Sequence, residues 1–320
     1  MSVRIYVPRD TSAIACGADA VAMKIQGEAR DRGFDVTIVR NGSRGLCWLE
    51  PLVEVETANG RIGFGPVAAG DVASLFEAGF PHDCEHPLAL GAVADIDWLK
   101  RQQRVCFARN GINDPLDLDG YRALGGWQGL QRAASMTPAA IVQAVMDSGL
   151  RGRGGAAFPC GIKWKTALDQ PDGRKFIVCN ADEGDSGTFS DRMVMEGDPY
   201  RLIEGMVIAG FAVGADKGYV YLRSEYPLTR QIFAEAIERA RSAGWLGADI
   251  DGSGRAFDIE LRVGAGAYIC GEETSLLESL EGRRGQVRFK PPVPAIRGLF
   301  GRPTVVNNVI TLAAVPDILV

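Results

Sequence analysis

The first 75 residues alternate short strand-like runs with one helical pattern. Strand-like runs lie at residues 2–7 (SVRIYV), 34–41 and 52–65. Residues 16–33 carry apolar side chains at helical spacing and end at a glycine. The last run is divided by Asn59-Gly60, a pair that favours a hairpin turn. This β-α-β-β order predicts a small domain with a thioredoxin-like fold over residues 1–78.

The pattern changes in residues 79–320, for which we predict a second domain. Residues 80–135 have few periodic runs and are interpreted as a lead-in, with a short helix within 114–126. The clearest helix lies within 136–150, because Thr137 can cap it and Pro138 suits its first turn. Strand-like runs at 175–181, 217–224 and 257–264 then alternate with helical patterns at 199–214, 228–243 and 272–281. Such alternation is typical of an α/β fold with a mainly parallel sheet covered by helices.

Composition and charge narrow the class of protein. The chain has 320 residues, of which 46% are hydrophobic and 23% charged, as expected for about two globular domains. Its formal net charge of -5 argues against general nucleic-acid binding. The N-terminus lacks an apolar leader, and the apolar stretch 202–215 is interrupted by Glu204 and three glycines. We therefore expect a cytoplasmic protein that does not associate with a membrane.

Cysteine and histidine usage excludes several chemistries. The seven cysteines include no C-x-x-C pair, which favours reduced thiols over disulfides. Only two histidines occur, His82 and His86, on either side of Cys84. This stretch is either a metal site or an acidic, solvated linker, and we favour the linker because a metal site needs a fourth ligand and a structured scaffold. We predict no metal ligands in the chain.

The stretch "GLRGRGGAAFPCGIKW" at 149–164 is rich in glycine. Gly152, Gly154 and Ala157 match the G-x-G-x-x-A spacing of a dinucleotide-binding turn, in which bare backbone N–H groups hold a pyrophosphate. That fingerprint is persuasive only after a strand, and here it follows the predicted helix at 136–150. The composition still suits a loop that binds an anion.

Three further stretches share polar side chains at connections between predicted elements. They are NADEGDSGTFSDR (180–192), GAGAYICGEETSLLESLEG (264–282) and RFKPPVPAIRGLFGRPTVVNNV (288–309). Because ligands of open α/β sheets bind at the carboxyl ends of strands, we expect these loops to converge with the glycine stretch on one pocket.

The residue types in these stretches suit a hydroxylated, planar ligand. The acids of 180–192 could accept hydrogen bonds from ribityl or ribose hydroxyls, and a solvated loop with Asp turns is the alternative. Glu272 and Glu273 occupy a helix start, where the dipole favours negative charge. The amides of Asn307 and Asn308 offer donors and acceptors for the edge of a heterocycle, or else they are turn residues.

In this order, the four stretches resemble the flavin-binding, NADH-oxidising subunit of respiratory complex I, NAD-reducing hydrogenases and NAD-dependent molybdenum formate dehydrogenases. The resemblance covers about residues 80–320, and the "IYVPRD" opening looks most like the formate dehydrogenase beta subunit. It implies FMN and NAD as cofactors, bound in a Rossmann-like domain of unusual form. The chain would then be an FMN-dependent NADH dehydrogenase that transfers hydride between NAD and FMN and exchanges electrons with iron-sulfur centres.

The resemblance also implies roles for individual residues. The FMN side would comprise Gly152, Arg153, Gly154, Lys163, Asn180, Asp182, Tyr268, Gly271, Glu272, Asn307 and Asn308. The NADH side would comprise Phe158, Glu183, Asp185, Glu273 and Lys290. Phe158 would stack on adenine, and Glu183 and Glu273 would be the catalytic pair, although the hydride step itself requires no protein acid.

Four positions depart from the family pattern. Asp185 replaces a common glutamate, Cys160 a threonine, and Thr166 and Val293 stand where an aromatic residue often occurs. The adenine pocket is therefore expected to be weaker or differently shaped.

The first domain resembles thioredoxin-like ferredoxins that hold a two-iron cluster on four cysteines. Only Cys16 and Cys47 remain here, and Ser43 occupies the position of one partner. Two thiolates cannot supply four ligands, so we predict a degenerate ferredoxin domain without a cluster.

The resemblance implies partners and further domains. Family members continue into a ubiquitin-like domain and a four-iron-cluster domain that residues 1–320 do not contain, so the chain would be a fragment or a truncated product. Its partners would be a gamma-type thioredoxin-like ferredoxin subunit and a molybdenum/iron-sulfur alpha subunit. Alternatives are a diaphorase of a hydrogenase or complex I, and a non-catalytic assembly module.

Overall fold

The computed structural model describes residues 2–320, which form two compact units divided between Asp117 and Leu118. The elements of the first unit are β1 (Val3–Tyr6), α1 (Thr11–Ala15), α2 (Ala18–Arg32), β2 (Val36–Val39), β3 (Val53–Thr57), β4 (Gly60–Phe64), α3 (Val72–Glu77), β5 (Ala89–Ala92) and α4 (Asp97–Lys100). These strands form one sheet in the order β2-β1-β3-β4-β5. β1 and β2 are parallel, and the other neighbours are antiparallel.

Glycines delimit the long helix of this unit. Gly17 has a φ of 96° and separates α1 from α2, and Gly33 has a φ of 74° and ends α2. Both angles lie in the left-handed region, which glycine adopts without steric cost. The apolar face of α2 then packs on the sheet in a core that includes Ile5, Val21 and Phe64. The predicted β-α-β-β order of a thioredoxin-like fold is confirmed.

The division between the units lies later than the predicted boundary after residue 78. β5 pairs antiparallel with β4 and so adds a further strand to the first sheet. The predicted linker around His82 also packs on this unit. The His82 ring lies 5.9 Å from the ring of Phe34, and His86 Nδ1 accepts a hydrogen bond from the Leu88 N–H. Residues 80–117, interpreted as a lead-in to the second domain, therefore belong to the first unit.

The second unit, every residue of which the structure describes, has ten α-helices and four strands. They are α5 (Leu118–Ala123), α6 (Gln128–Ala134), α7 (Pro138–Asp147), α8 (Cys160–Leu168), β6 (Phe176–Ala181), α9 (Ser190–Gly197), α10 (Pro199–Val213), β7 (Lys217–Leu222), α11 (Pro227–Ser242), β8 (Asp258–Val263), α12 (Glu273–Leu280), β9 (Thr304–Asn308), α13 (Val309–Ala313) and α14 (Val315–Leu319). The strand order is β8-β7-β6-β9, and every neighbouring pair is parallel. The prediction of an α/β fold with a mainly parallel, Rossmann-like sheet is confirmed.

Several predicted elements of this unit agree with the structure, and others were missed. The Thr137 hydroxyl caps α7 by accepting from the Ala140 N–H at 3.2 Å, as predicted. The predicted strands correspond to β6, β7 and β8, and the predicted helices to α10, α11 and α12. The missed elements that matter for the site are α8, α9 and β9, which begin or end inside the polar stretches and therefore lack a clear apolar period.

The core of this unit surrounds α10, all fifteen residues of which are buried. Gly205 permits its close approach to α13, because a Cβ at this position would lie 2.0 Å from the Leu312 carbonyl oxygen. Glu204 is also buried and accepts hydrogen bonds from the Tyr121 hydroxyl and the N–H groups of Trp127 and Leu130. Within residues 2–320, the longest apolar helices fall short of what is needed to cross a bilayer.

Candidate functional site

Two adjacent cavities lie in the second unit where β6 and β9 end. They have volumes of about 540 and 510 Å³ and share five lining residues. The shared residues are Gly154, Asn180, Gly271, Glu272 and Asn308. Because β6 and β9 are parallel neighbours, Asn180 and Asn308 come to the same edge of the sheet, which is the usual ligand position in this fold.

We name the cavities by their charged residues. The larger is the acidic cavity, which contains Asp182, Glu183, Asp185 and Asp191, and Arg153 is the only lysine or arginine among the described residues that line it. The smaller is the lysine cavity. It contains Lys163, Lys290, Glu273, Phe158 and Asn307.

All sixteen residues predicted for the site line one or both cavities. The predicted loops therefore converge as expected. The two predicted sides do not correspond to the two cavities, because Glu183 and Asp185 line the acidic cavity while Phe158, Glu273 and Lys290 line the lysine cavity.

The glycine loop closes on itself between α7 and α8. The Gly152 N–H donates to the Phe158 carbonyl, and the Cys160 N–H donates to the Leu150 carbonyl, both at 2.9 Å. A Cβ at Gly154 would lie 3.1 Å from the Cβ of Asn308, so glycine lets the loop backbone approach β9 closely. The result is bare backbone at the wall that both cavities share.

Lys163 is held at the floor of the lysine cavity by the start of α8. Its Nζ donates to the Val306 carbonyl at 2.8 Å and lies 3.4 Å from Glu273 Oε2. Phe158, just before α8, remains 50% exposed, so its ring is available for stacking.

The adjacent asparagines have different surroundings. Asn307 is 5% exposed, and its Oδ1 accepts from Trp164 Nε1 at 2.8 Å. This bond orients the amide so that its NH₂ group is left for a ligand. Asn308 instead accepts from the N–H groups of Ile310 and Thr311 as the cap of α13, and its Nδ2 donates to Asp191 Oδ2 at 2.7 Å. Its side chain is already committed within the protein.

Asn180 organises the end of β6. Its Nδ2 donates to the Gly271 carbonyl at 2.8 Å, and its Oδ1 accepts from the Asp182 N–H at 3.1 Å. The first bond fastens the end of β6 to the loop before α12, and the second shapes the loop that follows β6. Gly271 faces Asp182 closely, since a Cβ there would lie 3.4 Å from the Asp182 carbonyl oxygen.

Asp182 is half-buried at the mouth of the acidic cavity. Burial raises the pKa of its carboxyl to about 6, against the opposing attraction of the Arg223 guanidinium, and the charge of Glu225 adds to the rise. Asp182 therefore titrates just below neutral pH.

Glu183 caps α9 with its carboxylate, and it is only 7% exposed. Its Oε1 accepts from the Ser190 hydroxyl and the Asp191 N–H, and its Oε2 accepts from the Arg192 N–H and the Tyr226 hydroxyl, at 3.0 to 3.3 Å. Burial and the neighbouring Glu183 charge raise the pKa of Tyr226, which therefore remains protonated as a donor. Four donors already satisfy the carboxylate that we predicted to be catalytic.

Tyr268 covers the outer end of the acidic cavity and is 71% exposed. Its hydroxyl donates to Asp185 Oδ1 at 3.0 Å, and this hydrogen bond raises the pKa of the tyrosine. The ring also lies against Gly184, where a Cβ would come within 2.7 Å of two ring carbons. Gly184 is thus required for this position of Tyr268.

Two glutamates and a lysine form a charged group between the cavities. Lys290 Nζ donates to Glu272 Oε1 at 2.9 Å and to Glu273 Oε1 at 3.0 Å. Glu272 also caps α12 by accepting from the N–H groups of Thr274 and Ser275. Burial opposes ionisation of Glu272, but the bonds from Thr274, Lys290 and Ser275 prevail and lower its pKa to about 2.

Four further residues of the site were not predicted from the sequence, namely Asp191, Trp164, Gly184 and Thr311. Trp164 and Thr311 hold site residues, since Thr311 Oγ1 accepts from the Arg153 N–H at 2.9 Å. Asp191 and Gly184 lie inside the acidic stretch 180–192, so the density of that stretch was the available signal. No local sequence signal marked Trp164 or Thr311, because their roles depend on strands and loops far away in sequence.

The residues present fit the FMN that the sequence resemblance implies. Bare backbone at Gly152 and Gly154 would admit a close ligand, Arg153 and Lys163 offer cations for a phosphate, and the Asn307 NH₂ group could bind the edge of a planar ring. Within residues 2–320, no three His, Cys, Asp or Glu side chains are grouped so that they could hold a metal ion.

Comparison with known proteins gives concordant matches. The profile of the family described as the Nuo51 FMN-binding domain matches residues 145–317. The NADP-reducing hydrogenase subunit HndC of Solidesulfovibrio fructosivorans is 52% identical over 221 residues, which cover 69% of this chain and 45% of the relative. The matching NADH-quinone oxidoreductase subunit of Aquifex aeolicus is 54% identical over 204 residues, which cover 63% of this chain and 47% of the relative.

A solved structure extends the match over nearly the whole chain. The crystal structure of an NAD+-reducing [NiFe]-hydrogenase in the H2-reduced state has a TM-score of 0.57 and 32% identity, covering 99% of this chain and 52% of that chain. The chain thus spans about half the length of the proteins it matches.

Proposed function

Because the chain belongs to the Nuo51 FMN-binding domain family, we propose that it binds FMN and NAD(H) and transfers hydride between them. The observation that carries this proposal is the convergence of all sixteen expected residues on two joined cavities at the ends of β6 and β9. When bound, FMN would supply the chemistry that accepts hydride from NADH.

The chain's own residues would bind and orient the two cofactors. The glycine loop, Arg153 and Lys163 would hold the flavin, and the Asn307 NH₂ group, fixed by Trp164, would bind its polar edge. Phe158 would stack on adenine, and Lys290 would neutralise part of the negative charge that the dinucleotide brings. Glu272 and Glu273 would keep Lys290 in place.

We assign Glu183 a positioning role instead of the catalytic one that the sequence suggested. Its carboxylate is occupied by four donors, and it fixes the start of α9 and the loop that bears Asp185. Glu273 contacts both lysines of the lysine cavity.

We further propose a preference for NAD over NADP. Asp185, Glu272 and Glu273 place negative charge around the cavities, and the extra phosphate of NADP would meet this charge. Relatives are named for both dinucleotides, so the preference must be measured for this chain.

For the parent complex, we propose an NAD-dependent molybdenum formate dehydrogenase, with the partners that the sequence resemblance implies. The "IYVPRD" opening supports this proposal. A diaphorase of an NAD-reducing hydrogenase or complex I is an equally supported alternative, because the relatives are named as hydrogenase and NADH-quinone oxidoreductase proteins. Metal analysis of the complex purified from its native host distinguishes these parent complexes. Molybdenum without nickel supports a formate dehydrogenase, and nickel supports a hydrogenase.

The binding proposal is tested by anaerobic spectroscopy of the chain reconstituted with FMN. NADH is expected to bleach the flavin band, and NADPH at the same concentration is expected to bleach it far more slowly. Tight FMN binding without bleaching by either dinucleotide would leave a flavin-binding module but remove the hydride-transfer function. A chain that never retains FMN would instead favour the assembly-module alternative.

A further inference from the structure

Asp191 is a buried carboxyl in the wall of the acidic cavity to which the proposed hydride transfer gives no task. It lies in the first turn of α9 and is 4% exposed. Its Oδ2 accepts from Asn308 Nδ2 at 2.7 Å. Its Oδ1 has no hydrogen bond within residues 2–320 and almost no contact with solvent, although the Ile310 N–H attracts the charge of the carboxyl. A carboxylate would therefore be only half satisfied here.

The orientation of Asn308 is fixed, and this fixes the state of each Asp191 oxygen. Asn308 Oδ1 accepts from the N–H groups of Ile310 and Thr311 at 2.9 and 3.3 Å, so Nδ2 must face Asp191. Asp191 Oδ2 is consequently an acceptor, and a proton on the neutral acid belongs on Oδ1. The neutral form keeps the bond to Asn308.

The charges around Asp191 also favour that neutral form. Burial raises its pKa most, the nearby Glu183 carboxylate raises it further, and the bond from Asn308 opposes the rise, with a result of about 7. Burial raises the pKa of the Cys179 thiol of β6, and the charge of Asp191 adds to the rise, so this thiol stays uncharged.

The elements packed against α9 are α10, α11 and α13. α13 carries no titratable side chain, and the charged residues of α10 are engaged elsewhere, since Arg201 pairs with Asp317 and Glu204 binds α5 and α6. The side chain of α11 that bonds to α9 is Thr229, which donates to Glu196 in the last turn of α9. On α9 itself, the Arg192 guanidinium lies over the ring of Phe189 at 4.4 Å.

From these observations we propose that Asp191 is a proton-binding positioning residue of the acidic cavity. When the anionic FMN enters, Asp191 takes up one proton from solvent, and its neutral carboxyl holds Asn308 and the start of α13 at the wall that both cavities share. The physical reason is that the acidic cavity already contains four further acids, and Arg153 is the single cation among its described lining residues. An added phosphate makes a charged Asp191 still less favourable. This inference rests on the proposed function, because it takes FMN as the ligand.

The test measures the affinity of the full chain for FMN between pH 6 and pH 8 with Asp191→Asn and a matched control. Asparagine is neutral at every pH and keeps an oxygen that can accept from Asn308. For the unmodified chain, the Kd relative to that of Asp191→Asn is expected to rise about tenfold from pH 6 to pH 8, given a pKa of about 7. Division by the variant's Kd removes the titration of FMN's own phosphate. Asp147→Asn, an exposed position on α7 outside both cavities, should follow the unmodified chain.

A purely structural role for Asp191 cannot produce this result, because Asp191→Asn would then bind FMN equally or less well at every pH. A ratio that stays within twofold over the range overturns the inference while leaving FMN binding intact. Absence of FMN binding by the unmodified chain overturns the proposed function and this inference with it.

A second measurement needs no substitution and decides the matter if Asp191→Asn does not fold. Calorimetric titration with FMN at pH 8 in two buffers of different ionisation enthalpy gives the number of protons taken up. A group with a pKa of about 7 is about nine-tenths ionised at that pH, so uptake of about 0.9 proton per FMN is expected. Uptake near zero contradicts the proposal.

Discussion

Trp164 Nε1 donates to Asn307 Oδ1 at 2.8 Å, which joins the buried face of α8 to the last residues of β9. Both residues are buried, so the bond fixes the Asn307 amide. We expect Trp164→Phe to lower the free energy of unfolding by about 1–3 kcal/mol, because it leaves a buried acceptor largely unsatisfied. It should also weaken FMN binding, because the amide is then free to rotate. Urea unfolding followed by circular dichroism and an FMN titration measure the two effects.

The control for that variant is Trp98→Phe. Trp98 is 57% exposed and lies in the first unit, so its replacement should change neither quantity measurably. Unchanged FMN affinity in Trp164→Phe would show that the Asn307 amide does not bind the flavin.

Glu183→Gln separates a positioning role from a catalytic one. Because Glu183 accepts four hydrogen bonds at the start of α9, the variant is expected to lose about 1–3 kcal/mol of stability without any cofactor bound. Glu235→Gln, on the exposed side of α11, should lose less than about 0.5 kcal/mol. If Glu183→Gln is as stable as the unmodified chain but transfers no hydride, the catalytic assignment is restored.

The acid sensitivity of the second unit should include a contribution from Glu272. Its pKa is lowered from 4.5 to about 2 in the folded chain, so the stabilisation is present above about pH 4.5 and is lost as the pH falls towards 2. Allowing for its partial exposure and its role as the cap of α12, we expect about 1–2 kcal/mol. Unfolding measured at a series of pH values should therefore show a smaller slope in this window for Glu272→Gln than for Glu238→Gln. Equal slopes would contradict the assignment.

Lys290→Ala should weaken binding of NADH. The substitution removes the cation between Glu272 and Glu273 and exposes an anionic dinucleotide to both carboxylates. We expect the half-saturating NADH concentration for anaerobic flavin bleaching to rise about 10- to 100-fold, which corresponds to a charged hydrogen bond of about 1.5–3 kcal/mol. Lys165→Ala, on the exposed side of α8, is the matched control. An unchanged half-saturation would remove Lys290 from the dinucleotide site.

The first unit is expected to hold no iron-sulfur cluster. Cys16 and Cys47 are exposed cysteines, and two cysteines are too few for a two-iron cluster, which needs four ligands. Iron analysis of the full chain after anaerobic reconstitution should find far less than one iron per chain. About two irons per chain, with the spectrum of a two-iron centre, would refute this prediction.

The order of the elements and the place of the site could be predicted because both depend on local patterns. Strand-like runs alternating with helical ones imply a parallel sheet, and polar loops after parallel strands meet at one edge. The boundary near residue 78 differs from the structure because β5 (ALGA) has no alternating pattern that would mark it as a strand of the first sheet.

The roles of individual site residues were less accessible. Glu183 was singled out as an acid near the ligand, but α9 was not predicted, so its capping role could not be seen. Trp164 and Asn307 are 143 residues apart, and no local pattern links them.

The sequence by itself determined the α/β architecture, the parallel sheet and the set of loops that surround the cavities, since hydrophobic period and turn residues act over a few positions. Only the tertiary structure decided which polar groups are already satisfied and which remain for a ligand. Asn307 and Asn308 are neighbours of the same residue type, yet Asn307 keeps its NH₂ group for a ligand, whereas the NH₂ group of Asn308 donates to Asp191 and its oxygen caps α13. The physical reason is that burial and hydrogen-bond partners come from distant segments, and these fix the charge and the orientation of each side chain.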